Sequence, residues 1–201
     1  MDALEAIKTR RAVKHYDPEY VMPAEQVDEL MGLAMLSPTS FNMQNWRFVA
    51  VTDPEVKRAI RAAAWDQAHV GECSLLVVMA ADLKAFDHEP ERYWRNAPKA
   101  AQDILVPMIK PFYADKPELQ RDEAMRSIGI AGQTIMLAAK AMGLDSCPMI
   151  GFDPARVGEI VNLPADHVIG MLITVGKATQ PAWDRPGQLG MEQVVVRDKF
   201  D

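Results

Sequence analysis

The chain is poor in cysteine: its 201 residues include only Cys73 and Cys147, far apart and without metal-ligand spacing. That usage points to a reducing compartment, so a cytoplasmic location is expected. A basic excess is also missing. The net charge of -6 argues against non-specific nucleic-acid binding, which needs a cationic footprint, while leaving room for a locally basic pocket. Long apolar runs are absent as well. The longest helical one, between Arg126 and Lys140, is too short to span a bilayer, so no membrane association is expected. The start, MDALEAIKTRR, is charged and amphipathic with no apolar h-region, and no signal peptide is expected.

Several chemical signatures are lacking too. SIGIAG, the nearest glycine pattern, does not match G-x-G-x-x-G and falls in an apolar helix. Ser37-Pro38-Thr39-Ser40 lacks the flanking glycines of a nucleophile elbow. His15, His69, His88 and His167 are scattered without metal spacing, and no metal site is expected. Repeats, low-complexity tracts and a domain linker are missing, so residues 1–201 read as a single domain.

What is present is an ordinary globular composition, 49% apolar and 25% charged. Helices are expected over 2–9, with an apolar face of Ala3, Leu4 and Ile7, and over 23–36, with Pro23 in its first turn. Asp53-Pro54 and Asp153-Pro154 open two more, each with aspartate as cap and proline at the first helical position. A helix near 96–112 should be made irregular by Pro107 and Pro111. The longest, about 117–142, is apolar nearly all round between Ser127 and Ala139, and Gly143 closes it. Strands are expected at 46–52, 73–81 and 168–175. The second is apolar throughout and should be buried on both faces.

Two stretches carry chemistry. Arg10, Arg11, Lys14 and His15 crowd six positions of RRAVKHYDP. Their convergence suits a phosphate, which arginine grips bidentately; a solvated basic turn is the alternative. The loop SPTSFNMQNW then places Ser37, Thr39, Ser40, Asn42, Gln44 and Asn45 before a β-prone run. Such a loop on a rigid scaffold carries ligands or simply makes turns. Phe86 to Tyr113, with aromatic Phe86, Tyr93 and Trp94, reads as a lid over 86–113 or as core packing. The β-prone run MEQVVV follows a proline-rich linker and lacks a partner strand, which suggests exchange with a second chain.

In this order the segments resemble the FMN-dependent nitroreductase family. RRAVKHYDP resembles its N-terminal phosphate motif, SPTSFNMQNWRFV its polar loop, GIAGQTIMLAAKAMGLDSCPMIGFD its interface helix and flavin-facing segment, and GKATQPAWDRPGQL with EQVVV its C-terminal arm. The resemblance implies an α+β fold with a central, mainly antiparallel sheet flanked by helices. It also implies a homodimer that exchanges arms over 177–201 and holds FMN at its interface. Arg10, Arg11 and Lys14 would hold the phosphate and ribityl chain, with Ala12, a serine in many members, offering only its backbone. Ser40, Asn42 and Gln44 would reach the ribityl chain and ring edge from the second subunit, and Gln67 is a further candidate. Pro148, Met149, Ile150 and Gly151 would line the flavin face, where Ile150 replaces an acidic residue of some members. Arg185 would add a phosphate contact, with Lys177 and Gln188 as further candidates. The implied activity is ping-pong hydride transfer through flavin N5, from NADPH or NADH to nitroaromatic, quinone or similar conjugated small molecules. A flavin-binding carrier or sensor without turnover, and a basic-loop interaction protein without cofactor, are the readings from other classes.

Overall fold

The computed structural model describes residues 1–200 and contains four strands: β1 (Trp46–Val51), β2 (Leu75–Asp82), β3 (Asp145–Met149) and β4 (His167–Gly176). The helices are α1 (Ala3–Thr9), α2 (Ala24–Ala34), α3 (Pro54–Ala63), α4 (Ala68–Glu72), α5 (Lys99–Tyr113), α6 (Pro117–Ala141), α7 (Pro154–Ile160) and α8 (Met191–Val194). The strands form one sheet in the order β1-β2-β4-β3, every pair antiparallel. All eight residues of β2 are buried, as its unbroken apolar run requires. Pro148 is accommodated because β3 is the last strand of the sheet.

Helices cover both faces. On one, Leu30 and Ala34 of α2 and Ile128, Ala131 and Ile135 of α6 pack with Leu75, Val77 and Ile173. Gly132 lets α6 lie close to β4, since a Cβ there would meet Met171 Sδ at 3.1 Å and Ile173 Cδ1 at 3.3 Å. On the other face, Ile60 of α3, Val70 of α4 and Val157 of α7 pack with Leu76, Val78 and Leu172. The aspartate caps form as expected: Asp53 accepts from Glu55 N at 2.8 Å and Asp153 from Ala155 N at 2.9 Å. Gly143 takes φ +78° just past α6.

Three local expectations are corrected. Pro23 is the N-cap of α2 rather than a first-turn residue. In α1 only Ala6 is buried, while Leu4 and Ile7 are exposed. Of the run MEQVVV, Met191–Val194 forms a helical turn, seeded where Gln193 Oε1 accepts the Gly190 N–H at 3.1 Å. Asp201, the last residue of the expected arm, lies outside the described residues. Among the described residues no helix is long and apolar enough to cross a membrane.

Candidate functional site

The basic run lies along the outer edge of β3. Val13 N–H donates to Ser146 O at 3.1 Å, and Ala12 bridges to Ser146 in parallel register. The chain leaving β4 returns beside it, with Asp17 N–H donating to Lys177 O at 2.9 Å and Thr179 N–H to His15 O at 3.0 Å. These ladders face residues 10–15 with residues 180–186 across a pocket of about 370 Å³. Arg10, Arg11, Ala12, Lys14 and Arg185, all expected from sequence, line it together. Trp183, which sequence reasoning missed, stands exposed on the opposite wall, and Asp184 is the lining carboxylate.

The charge in this pocket is net positive, with Arg10, Arg11, Lys14 and Arg185 against Asp184. Among the described residues Arg10, Arg11, Lys14 and Arg185 make no ion pair with a carboxylate. Partial burial, then Arg185 and Arg11, push the Arg10 guanidinium below its ordinary pKa. Arg185 Nη2 donates to the Arg10 carbonyl at 3.4 Å, while Arg11 is tied to the carbonyls of Lys8 and Arg10 at 2.8 and 2.9 Å. Cations held together without a paired carboxylate fit a phosphate dianion. Lys177 is directed elsewhere, its Nζ 4.8 Å from the Tyr20 ring centroid.

The polar loop is anchored through its own side chains. Ser37 Oγ donates to Thr134 Oγ1 at 3.0 Å, Ser40 N–H to Glu123 Oε1 at 3.2 Å, and Tyr113 O–H to Ser40 Oγ at 2.7 Å. Asn42 Nδ2 donates to Tyr93 O at 2.8 Å, and Gln44 N–H to Thr39 Oγ1 at 2.9 Å. Phe41, Asn42 and Gln44 have φ of 50°, 53° and 46°, a conformation that phenylalanine and glutamine adopt only at a cost and that clusters at ligand sites. Trp46 is buried and stacked on Phe48, with centroids 5.2 Å apart. Of the two readings for the aromatics over 86–113, Phe86, Tyr93 and Trp94 follow core packing. Phe86 is buried, Tyr93 O–H donates to Ala85 O at 3.0 Å, and Trp94 Nε1–H to Phe41 O at 2.9 Å.

This loop enters β1, whereas the basic run lies outside β3, and those are the two opposite edges of the sheet. Three interstrand spacings, about 14 Å, separate the edge strands. Within one chain the two halves of the sequence-derived site therefore stay apart.

A third segment follows β3. Met149 is buried, Pro148 partly so, and Ile150 is exposed. Gln67 Nε2 donates to Gly151 O at 2.9 Å and to Ala64 O at 3.1 Å. A Cβ on Gly151 would meet the Trp65 ring at 2.7 Å. Trp65 and Asp66 both take positive φ in the turn that presents this ring. Sequence reasoning also set aside His69. It is 4% exposed, and its Nε2 has no partner among the described residues. Burial, then Lys14 and His15, hold its pKa below 6.5. An unpartnered nitrogen has no sequence signature; the only hint was its place just after Gln67.

The fold and the pocket define a class: an α+β protein whose sheet edge carries room and charge for a phosphate-bearing ligand. The model of the Nitroreductase family matches residues 7–177. The chain belongs to this family and is an oxidoreductase. It is 52% identical over 188 residues to Protein DrgA of Synechocystis sp., covering 94% of this chain and 88% of that one. It is 30% identical over 212 residues to the NADH dehydrogenase of Thermus thermophilus, covering 98% and 96%. A protein of Exiguobacterium sibiricum, assigned as a nitroreductase and solved in complex with FMN, superposes with a TM-score of 0.90 at 27% identity, covering 98% and 97%.

Proposed function

We propose that the chain is an FMN-dependent NAD(P)H oxidoreductase that reduces nitroaromatic, quinone or similar conjugated acceptors in a ping-pong cycle. The observation that carries this reading is the group of unpaired cations at Arg10, Arg11, Lys14 and Arg185 in one pocket. The FMN-bound relative supports the identity of the ligand. When bound, FMN would supply the two-electron chemistry between the nicotinamide donor and the acceptor.

The chain's own residues orient and insulate. Arg10, Arg11, Lys14 and Arg185 neutralise the phosphate, and Ala12 contributes backbone only. Pro148 to Gly151 offer backbone along the ring, held in place by Gln67 at the Gly151 carbonyl. Exposed Ile150 offers no acid at its own position. Neutral His69 adds an unpartnered Nε2 close to Lys14 and His15.

Ser40, Asn42 and Gln44 complete the site of a second copy, since they stand at the opposite sheet edge. Exposed apolar residues support such pairing. Ile104, Met108 and Phe112 recur every four positions along α5, which belongs to the proposed lid over 86–113. Leu189, Met191 and Val194 to Val196 are exposed on the proposed exchange arm. One experiment tests the reading: an absorption spectrum of the purified protein before and after anaerobic addition of NADPH or NADH. A flavin spectrum that bleaches, then returns with a quinone or nitroaromatic, is expected. A flavin that neither donor bleaches refutes the enzyme reading and favours a carrier.

A further inference from the structure

A second cationic wall lies away from the β3 pocket. Two adjoining hollows of about 410 and 340 Å³ open between the turn at Pro90–Tyr93 and the loop at Asn42–Gln44. Both are lined by Gln44, Arg92, Tyr93 and Arg95. The Arg92 guanidinium stacks 4.8 Å from the Tyr93 ring centroid, and its Nη2 donates to Tyr93 Oη at 2.8 Å. Tyr93 is itself fixed to Ala85 O, and the neighbour of Arg95, Trp94, to Phe41 O. Both arginines thus sit on an anchored backbone. Among the described residues neither pairs with a carboxylate, whereas nearby Arg47 is neutralised by Asp82 at 3.1 Å.

Two exposed guanidiniums without a carboxylate partner leave this wall locally positive on a protein of net charge -6. Guanidinium forks match phosphate oxygens in geometry as well as charge. The chain lacks a dinucleotide fingerprint that would hold a nicotinamide donor by its diphosphate. The donor must therefore find its phosphate contacts elsewhere, within reach of the flavin. Gln44 supplies the link: it lines these hollows and belongs to the loop assigned to the partner's flavin. We propose that Arg92 and Arg95 dock the phosphate-bearing half of the reduced nicotinamide dinucleotide. This rests on the function proposed above.

The test uses the FMN-loaded full-length enzyme and its R92A/R95A variant. Failure of the wild type to be reduced by either donor would refute the proposed function itself, before the variant matters. With an active wild type, the variant's KM for donor should rise about tenfold or more, as expected on losing a charge-assisted hydrogen bond, with kcat held within about twofold. A rise confined to NADPH assigns the contact to its 2′-phosphate; an equal rise with NADH assigns it to the diphosphate. Calorimetric titration with adenosine 2′,5′-bisphosphate should show binding to wild type that is weakened in the variant. Arg95→Ala alone keeps the Arg92–Tyr93 packing and should show a smaller change of the same kind. Unchanged KM for both donors, a loss of kcat alone, or equal nucleotide binding by both proteins would overturn the proposal.

Discussion

Gln67 Nε2 reaches the Gly151 carbonyl at 2.9 Å, joining the turn before α4 to the segment after β3. The bond links residues 84 positions apart, and the Trp65 ring covers the same glycine. Gln67→Ala should lower stability by about 1–3 kcal/mol, the net worth of its two hydrogen bonds, to Gly151 O and Ala64 O. Urea unfolding followed by circular dichroism measures it. The midpoint should fall with the slope unchanged, because the exposed surface of the unfolded chain is the same.

Arg10→Ala should separate ligand binding from folding. It removes a charged hydrogen-bonding group from the proposed phosphate site, so FMN affinity should fall by about 1.5–3 kcal/mol. The cofactor-free protein should not lose stability, because burial and the charges of Arg185 and Arg11 already disfavour the Arg10 cation. Flavin titration and thermal unfolding of the stripped protein report the two effects. Unchanged flavin affinity would remove Arg10 from the site.

His69 gives a pH dependence with a definite sign. Its folded-state pKa lies below the ordinary 6.5, so between the two values the unfolded chain binds more protons than the native one. This histidine therefore leaves stability intact above pH 6.5 and erodes it as pH falls through that value. His69→Gln removes the titration. Denaturation midpoints at pH 7 and pH 5.5 should differ less in the variant than in wild type, and an equal difference would show that His69 is not responsible.

The parts of the fold legible in sequence were those written in local chemistry. The unbroken apolar run of β2, the Asp-Pro openings of α3 and α7 and the glycine after α6 each express a rule that needs only neighbouring residues. Errors arose where tertiary contacts override local preference. The run MEQVVV read as β-prone, yet the Gly190–Gln193 contact seeds a helical turn over Met191–Val194. Phe86, Tyr93 and Trp94 left lid and core packing equally open, and the capture of the Trp94 indole by the Phe41 carbonyl is a tertiary contact that local sequence does not encode. The site was legible in pieces. Arg10 to Lys14 stood out as a basic cluster, whereas its meeting with Arg185 spans 175 positions and depends on the ladder from Tyr16 to Ala178. The unpartnered nitrogen of His69 and the exposed Trp183 wall are properties of packing alone.

The placement of the two recognition segments on opposite sheet edges has a genetic consequence. If each flavin draws Arg10 from one chain and Asn42 from the other, the two substitutions Arg10→Ala and Asn42→Ala fall in the same site only when they sit on different chains of a pair. A mixed pair then concentrates both defects in one site and leaves its twin intact. Two impaired proteins, unfolded together and refolded as a mixture, should regain activity that neither regains alone, and a mixture no better than its parents would assign both segments to one chain's flavin.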